Sequence, residues 1–129
     1  MRHTEKGIDL RKTYLSVADG PEVVPLEVGP DFWPTIGERE DLAERLVAVF
    51  PFDADWDSWE MHPEGDEVVM LLAGAADLVL DEPDGERVIE LRERTTAIVP
   101  RGVWHTVSVH EAGEALHITR GEGTVHRPR

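Results

Sequence analysis

The stretch Trp59-Glu60-Met61-His62-Pro63-Glu64-Gly65-Asp66-Glu67, closed by Gly74, decides the fold when read with Pro100-Arg101-Gly102-Val103-Trp104-His105. Glu60, His62 and Glu67 fall in the first of these β-like blocks and His105 in the second, about 40 residues on. On the strands of a β-barrel, Glu60, His62, Glu67 and His105 can converge on one interior point. A convergent set of imidazoles and carboxylates is the usual way to hold a divalent transition metal.

Around these blocks the pattern is β. Candidate strands cover 56–62, 66–72, 76–81, 86–91, 95–99, 103–110 and 114–120. Turns are expected at His62-Pro63-Glu64-Gly65, Ala73-Gly74, Glu82-Pro83-Asp84-Gly85, Pro100-Arg101-Gly102 and Ala112-Gly113. Short strands with regular turn signals indicate an all-β sandwich or barrel. Upstream, Leu46-Val47-Ala48-Val49-Phe50 reads as a strand stopped by Pro51, and 13–28 holds a weak strand pattern broken by Pro21 and Pro25. Thr35-Ile36-Gly37-Glu38 has capping-box spacing, so one short helical turn through Glu44 is expected.

Alternation along a strand sorts side chains by face. His105 shares a row with Val103, Val107 and Val109, the row expected to face the core. His110 falls on the polar row. Trp56, Ser58, Glu60 and His62 share a face, as do Glu67, Val69 and Leu71. His117 lies between Leu116 and Ile118, which reads as core, so His117 is expected outside the site. Both faces of strand 66–72 are apolar. A barrel wall open to water does not carry such a pattern. The N-terminal strands or a second copy of the chain should cover it, and a homodimer is the expectation.

Two buried carboxylates would raise one another's pKa, and an unpartnered buried charge costs several kcal/mol. A divalent cation relieves both. Each residue also has a plainer reading. His105 can be a hydrogen-bonded core histidine, and Glu60 can pair with an arginine such as Arg92, Arg94 or Arg101. A metal-free polar pocket stays open beside the metal site.

The two blocks resemble the two motifs of the cupin superfamily, small barrels of the jelly-roll type, whose patterns run G-x5-H-x-H-x(3,4)-E-x6-G and G-x5-P-x-G-x2-H-x3-N. Glu60-Met61-His62 stands at H-x-H, Glu67 and Gly74 complete the first motif, and Pro100 to His105 match P-x-G-x2-H. The departures are Glu60 for the first histidine, Ala54 and Arg94 for the opening glycines, and Val109 for the asparagine. The resemblance implies a single cupin domain over 1–129, with a barrel core at about 45–120 and peripheral tails at 1–12 and 121–129. It implies a divalent metal on Glu60, His62, Glu67 and His105. Two carboxylates make a harder set than the family's three histidines and one glutamate. Mn, Fe, Zn or Ni is therefore expected over Cu. If Glu60 is not a ligand, it is a candidate general acid/base.

Trp56, Ser58, Val69, Leu71, Val103 and Val107 are expected to line a pocket for a small organic ligand or substrate. The implied chemistry is that of a metal-dependent oxygenase, isomerase or hydrolase; the alternative is a non-catalytic or metal-free ligand-binding or sensing barrel. The formal net charge of −14 opposes nucleic acid and anionic membranes as partners. No cysteine is present, so thiolate sites and disulfides are excluded. With no signal-like or membrane-spanning apolar run, a cytoplasmic location is expected.

Overall fold

A computed structural model describes residues 1–39 and 44–129. It contains nine strands among the described residues: β1 (Thr13–Val17), β2 (Val23–Glu27), β3 (Arg45–Phe52), β4 (Ser58–Met61), β5 (Glu67–Glu82), β6 (Gly85–Leu91), β7 (Thr96–Val99), β8 (Trp104–Thr119) and β9 (Val125–Pro128). All pairings are antiparallel. The all-β expectation holds. Among the described residues the one helical element is a 3-10 turn at Ile36–Glu38. It is not a capping box, because the Thr35 hydroxyl donates back to the Asp31 carbonyl at 2.5 Å. The rest of the helical turn expected through Glu44 falls at 40–43, outside the described residues.

Two long bent strands organise the barrel. The first half of β5 pairs with the end of β8, from Val68 opposite Ile118 to Leu71 opposite Ala115, and the second half pairs with the start of β8, as in Leu80 opposite His105. One arm of the sheet then runs β2-β1-β3-β8-β5-β7, and the other runs β6-β5-β8-β4-β9. The turns expected at Ala73-Gly74 and Ala112-Gly113 are instead β-bulges inside these strands. There the two backbones touch. A Cβ on Gly74, whose φ is +92°, would lie 2.6 Å from the Glu111 carbonyl oxygen, and one on Gly113 would overlap the Ala73 carbonyl. Glycine is required at this crossing for close approach, and the extra residue of the bulge bends the strand. Across it the inward residues of β5 pass from Glu67, Val69 and Leu71 to Ala76, Leu78 and Leu80.

The main core lies between the arms and includes Val69, Leu71, Leu78, Leu80, Leu91 and Val99. A second cluster of Tyr14, Leu26, Phe32 and Ala48 forms where β1 and β2 extend the sheet beside β3. These strands extend the sheet at its edge beside β3, and on the outer face of β3, β8, β5 and β7 Val47, Ile118 and Val68 are half-buried while Ile98 is exposed. β3 runs through Pro51 to Phe52, two residues further than the proline suggested. The C-terminal segment is not a loose tail. Its strand β9 pairs with β4 across Ser58–Met61.

Candidate metal centre

The hairpin-like link between the two sequence blocks is physical. Pro100-Arg101-Gly102-Val103 forms a turn closed by the Val103 amide donating to the Pro100 carbonyl, with Gly102 at φ 78°. A turn of this kind needs a positive φ at its third residue, hence glycine. The Gly102 amide then donates to the His62 carbonyl at 2.9 Å, and the Arg101 amide to Asp66 at 2.8 Å. The two blocks are thereby fixed to one another. β4 and β8 meet with Glu60 directly opposite His105.

The four expected residues converge. Glu60, His62, Glu67 and His105 each offer one ligand atom, and these atoms all lie within 4.8 Å of one another. His62, Glu67 and His105 are buried, and Glu60 is half-buried. His62 Nε2 lies 2.9 Å from Glu60 Oε1 and 3.4 Å from Glu67 Oε2, and His105 Nε2 lies 3.3 Å from Glu67 Oε1. Yet His62 Nε2, Glu67 Oε1 and His105 Nε2 make no hydrogen bond among the described residues. The atoms are close without being aimed at each other. Buried polar atoms are rarely left so.

Electrostatics bind the cluster together. Burial works to lower the His62 pKa, but the Glu60 and Glu67 carboxylates beside it win and push it up to about 9. Burial works to raise Glu67, but His105, His117 and His62 hold it well below the usual carboxylate range. Glu60 is lowered too, its burial outweighed mainly by His62.

Further residues reach the cluster that sequence reasoning did not place there. Thr119 Oγ1 donates to Glu67 Oε2 at 2.5 Å, and His117 Nδ1 lies 3.5 Å from the same oxygen. His117 therefore belongs to the site, contrary to the expectation. Leu116 and Ile118 face outward, onto a sheet face that is itself apolar, so hydrophobicity misled. Carrying the alternation of His105 and Val107 along the single strand β8 does find His117. His126 Nε2 lies 2.9 Å from Glu60 Oε2, and Thr124 Oγ1 lies 2.7 Å from His62 Nδ1. No spacing signal marks these two, because a pairing between β9 and β4 determines them.

The cluster opens on a cavity of about 1090 Å³. Trp56, Val69, Leu71 and Val107 line it. Ser58 and Val103 do not. The Ser58 carbonyl accepts from Thr106 where β4 is flanked by β8 and β9, and Val103 packs against the main core. Trp33, Phe50 and Phe52 add apolar wall, and Arg39 and Arg120 stand in the lining. His110 is exposed and bonded to Asp77, as its polar row implies.

The donor set suits a divalent ion. Bonds of about 2.0–2.2 Å put opposite ligands up to ~4.4 Å apart, so the atoms need close by only tenths of an ångström. Such an ion would offset the two carboxylates and use the free nitrogen lone pairs.

The sequence matches no protein-family model and no curated protein. Solved structures do resemble the fold. A cupin-2 domain containing protein from Shewanella frigidimarina superposes with a TM-score of 0.51 at 18% identity, covering 69% of this chain and 74% of that one. Oxalate decarboxylase from Bacillus subtilis, studied for its Mn(II) centres, gives a TM-score of 0.54 at 16% identity over 66% of this chain and 24% of that one. Hydroxypropylphosphonic acid epoxidase from S. wedmorenis gives 0.51 at 14% identity over 59% and 43%. The cupin resemblance carried by the two motifs is thus shown at the level of the fold.

Proposed function

We propose that this chain is a small-molecule-binding cupin barrel whose Glu60, His62, Glu67 and His105 hold a divalent cation of the Mn, Fe, Zn or Ni type. The observation that carries this reading is the convergence of four ligand atoms within 4.8 Å, three of them buried without a hydrogen bond. The Mn(II) centres of the similarly folded oxalate decarboxylase support it.

When bound, the ion would supply Lewis acidity or an oxygen-binding position for metal-dependent oxygenase, isomerase or hydrolase chemistry. The chain's own residues do the rest. Trp56, Val69, Leu71 and Val107 give the ligand an apolar wall and keep bulk water from the centre. Thr119 and His117 hold one Glu67 oxygen, which leaves the other turned toward His105. His117, at the cavity wall, is placed to contact a ligand's polar group.

One observation favours a second reading, a metal-free ligand-binding pocket. A protonated His62 between Glu60 and Glu67 already compensates much of their charge. One experiment separates the two. Metal content is measured by plasma mass spectrometry on protein purified without an affinity tag or added metal. Near-stoichiometric Mn, Fe, Zn or Ni that is lost in His62→Ala establishes the centre. Absence of metal even after anaerobic reconstitution sinks it and leaves the pocket.

A further inference from the structure

The segment that follows β8 touches two of the four candidate ligands. Thr124 Oγ1 lies 2.7 Å from the Gly121 carbonyl oxygen and 2.7 Å from His62 Nδ1. A threonine hydroxyl has one proton to give. A carbonyl can only accept. Both hydrogen bonds exist together only if the hydroxyl donates to Gly121 and the His62 Nδ1–H donates to the hydroxyl. A neutral His62 ring then carries its lone pair on Nε2. That is the atom facing Glu60 and Glu67.

Two residues on, His126 stands directly across the strand pair from Glu60. Its Nε2 lies 2.9 Å from Glu60 Oε2, and the other oxygen, Oε1, is left facing His62 at 2.9 Å and His105 at 3.7 Å. A carboxylate on a freely turning side chain presents either oxygen at many angles. One held by an imidazole presents a single oxygen in a single direction. The departure from the motif at Glu60 is therefore matched by a histidine from another strand.

We propose that residues 121–128 are the positioning element of the centre, Thr124 by fixing Nε2 as the lone-pair atom of His62 and His126 by holding one oxygen of Glu60. The proposal rests on the metal reading above, since positioning has meaning here as preparation of ligands. Histidine ligands characteristically donate their second ring N–H to a fixed partner, and losing that partner weakens metal binding roughly 10–100-fold. Packing alone would also keep this segment in place. Arg127 stacks on Trp104, and Arg129 donates to the Val107 carbonyl at 3.0 Å. Shape-conserving substitutions therefore separate positioning from packing.

The experiment uses the full chain as wild type, Thr124→Val, Thr124→Ser, His126→Leu and His126→Gln. Mn²⁺ affinity is read by calorimetry. Thr124→Val and His126→Leu should bind Mn²⁺ roughly 10–100-fold more weakly, with folding intact by circular dichroism. Thr124→Ser keeps the hydroxyl and His126→Gln keeps a donor, so both should recover to within a few-fold of wild type. In parallel, ¹⁵N NMR of the metal-free protein, with the His62 ring neutral, should find the proton on Nδ1 in wild type and Thr124→Ser. That preference should be lost in Thr124→Val. Unchanged Mn²⁺ affinity in Thr124→Val and His126→Leu overturns the proposal, as does a wild-type His62 with its proton on Nε2. A wild type that binds none of Mn²⁺, Fe²⁺, Zn²⁺ and Ni²⁺ overturns the metal reading instead. The ring tautomer and its dependence on Thr124 then decide this proposal alone.

Discussion

Glu60 and His105 face each other across β4 and β8 at one register position, with His105 Nε2 3.7 Å from Glu60 Oε1. Strand pairing holds that register, so a side chain at residue 60 faces the His105 cluster whatever its type. Glu60→His would restore three imidazoles and one carboxylate. Nitrogen donors favour Ni and Zn over Mn more strongly than oxygen donors do. Competitive titration should therefore show the Zn-to-Mn affinity ratio rising on the order of tenfold or more in Glu60→His. An unchanged ratio would mean that residue 60 is not a ligand.

The raised pKa of His62 gives the metal-free and metal-loaded proteins opposite pH trends. Its folded value is about 9 against an ordinary 6.5. A group raised on folding stabilises fully below its unfolded pKa, and that contribution is lost as pH climbs through the folded one. The metal-free protein should thus lose stability between pH 6.5 and about 9, by roughly 3 kcal/mol at most. Metal binding displaces the same proton, so Mn²⁺ affinity should increase up to about tenfold per pH unit over this window. Thermal melts with and without Mn²⁺ check both, and His62→Gln should flatten the metal-free slope. A metal-free Tm that rises from pH 6.5 to 9 would contradict the charge arrangement drawn here.

Arg94 is the one non-glycine residue with positive φ among the described residues, at 67°. It occupies the opening glycine position of the second cupin motif. The left-handed conformation costs a side-chain-bearing residue about 1–2 kcal/mol, while glycine adds about 0.4–1 kcal/mol of unfolded-state entropy. The first term is larger. The Arg94 amide still reaches the Leu71 carbonyl, a bond glycine keeps. Arg94→Gly should therefore stabilise by about 0.5–1 kcal/mol, read as a few degrees in Tm. A loss of stability would show that the arginine side chain contributes more than its backbone strain costs.

How far the sequence reached follows from what each signal encodes. Spacing within a strand and across one turn is legible, so Glu60, His62 and Glu67 group from the sequence, and the resemblance of Pro100 to His105 to the second cupin motif adds His105. Gly74 and Gly113 were legible as special but not as what they are. A glycine beside alanine reads as a turn, and only the approach of β5 to β8 shows that both are needed for a crossing of strands. His117 was misplaced because β8 carries apolar side chains on both faces, which removes the contrast that alternation relies on. Thr124 and His126 were invisible, since their role comes from a pairing between segments more than 60 residues apart.

The outward apolar row of the sheet carries the last prediction. Pro25, Leu15, Val47, Ile118, Val68 and Ile98 occupy consecutive register positions across six strands. Side chains at paired positions share a face. None of the six belongs to either core cluster or packs against one, and Ile98 is 60% exposed. The row holds no charge in a chain of formal net charge −14. A second copy is the expected cover, because pairing two such rows buries apolar side chains against one another. We therefore expect light scattering to report about twice the 14.5 kDa chain mass. Added salt should strengthen association by screening the repulsion between two acidic copies. Ile98→Asp with Val68→Asp should give a monomer. Ile98 is largely exposed in one chain, so the aspartate there costs the isolated barrel little. A wild type that stays monomeric at high salt and tens-of-micromolar concentration would leave this face without a partner of its own kind.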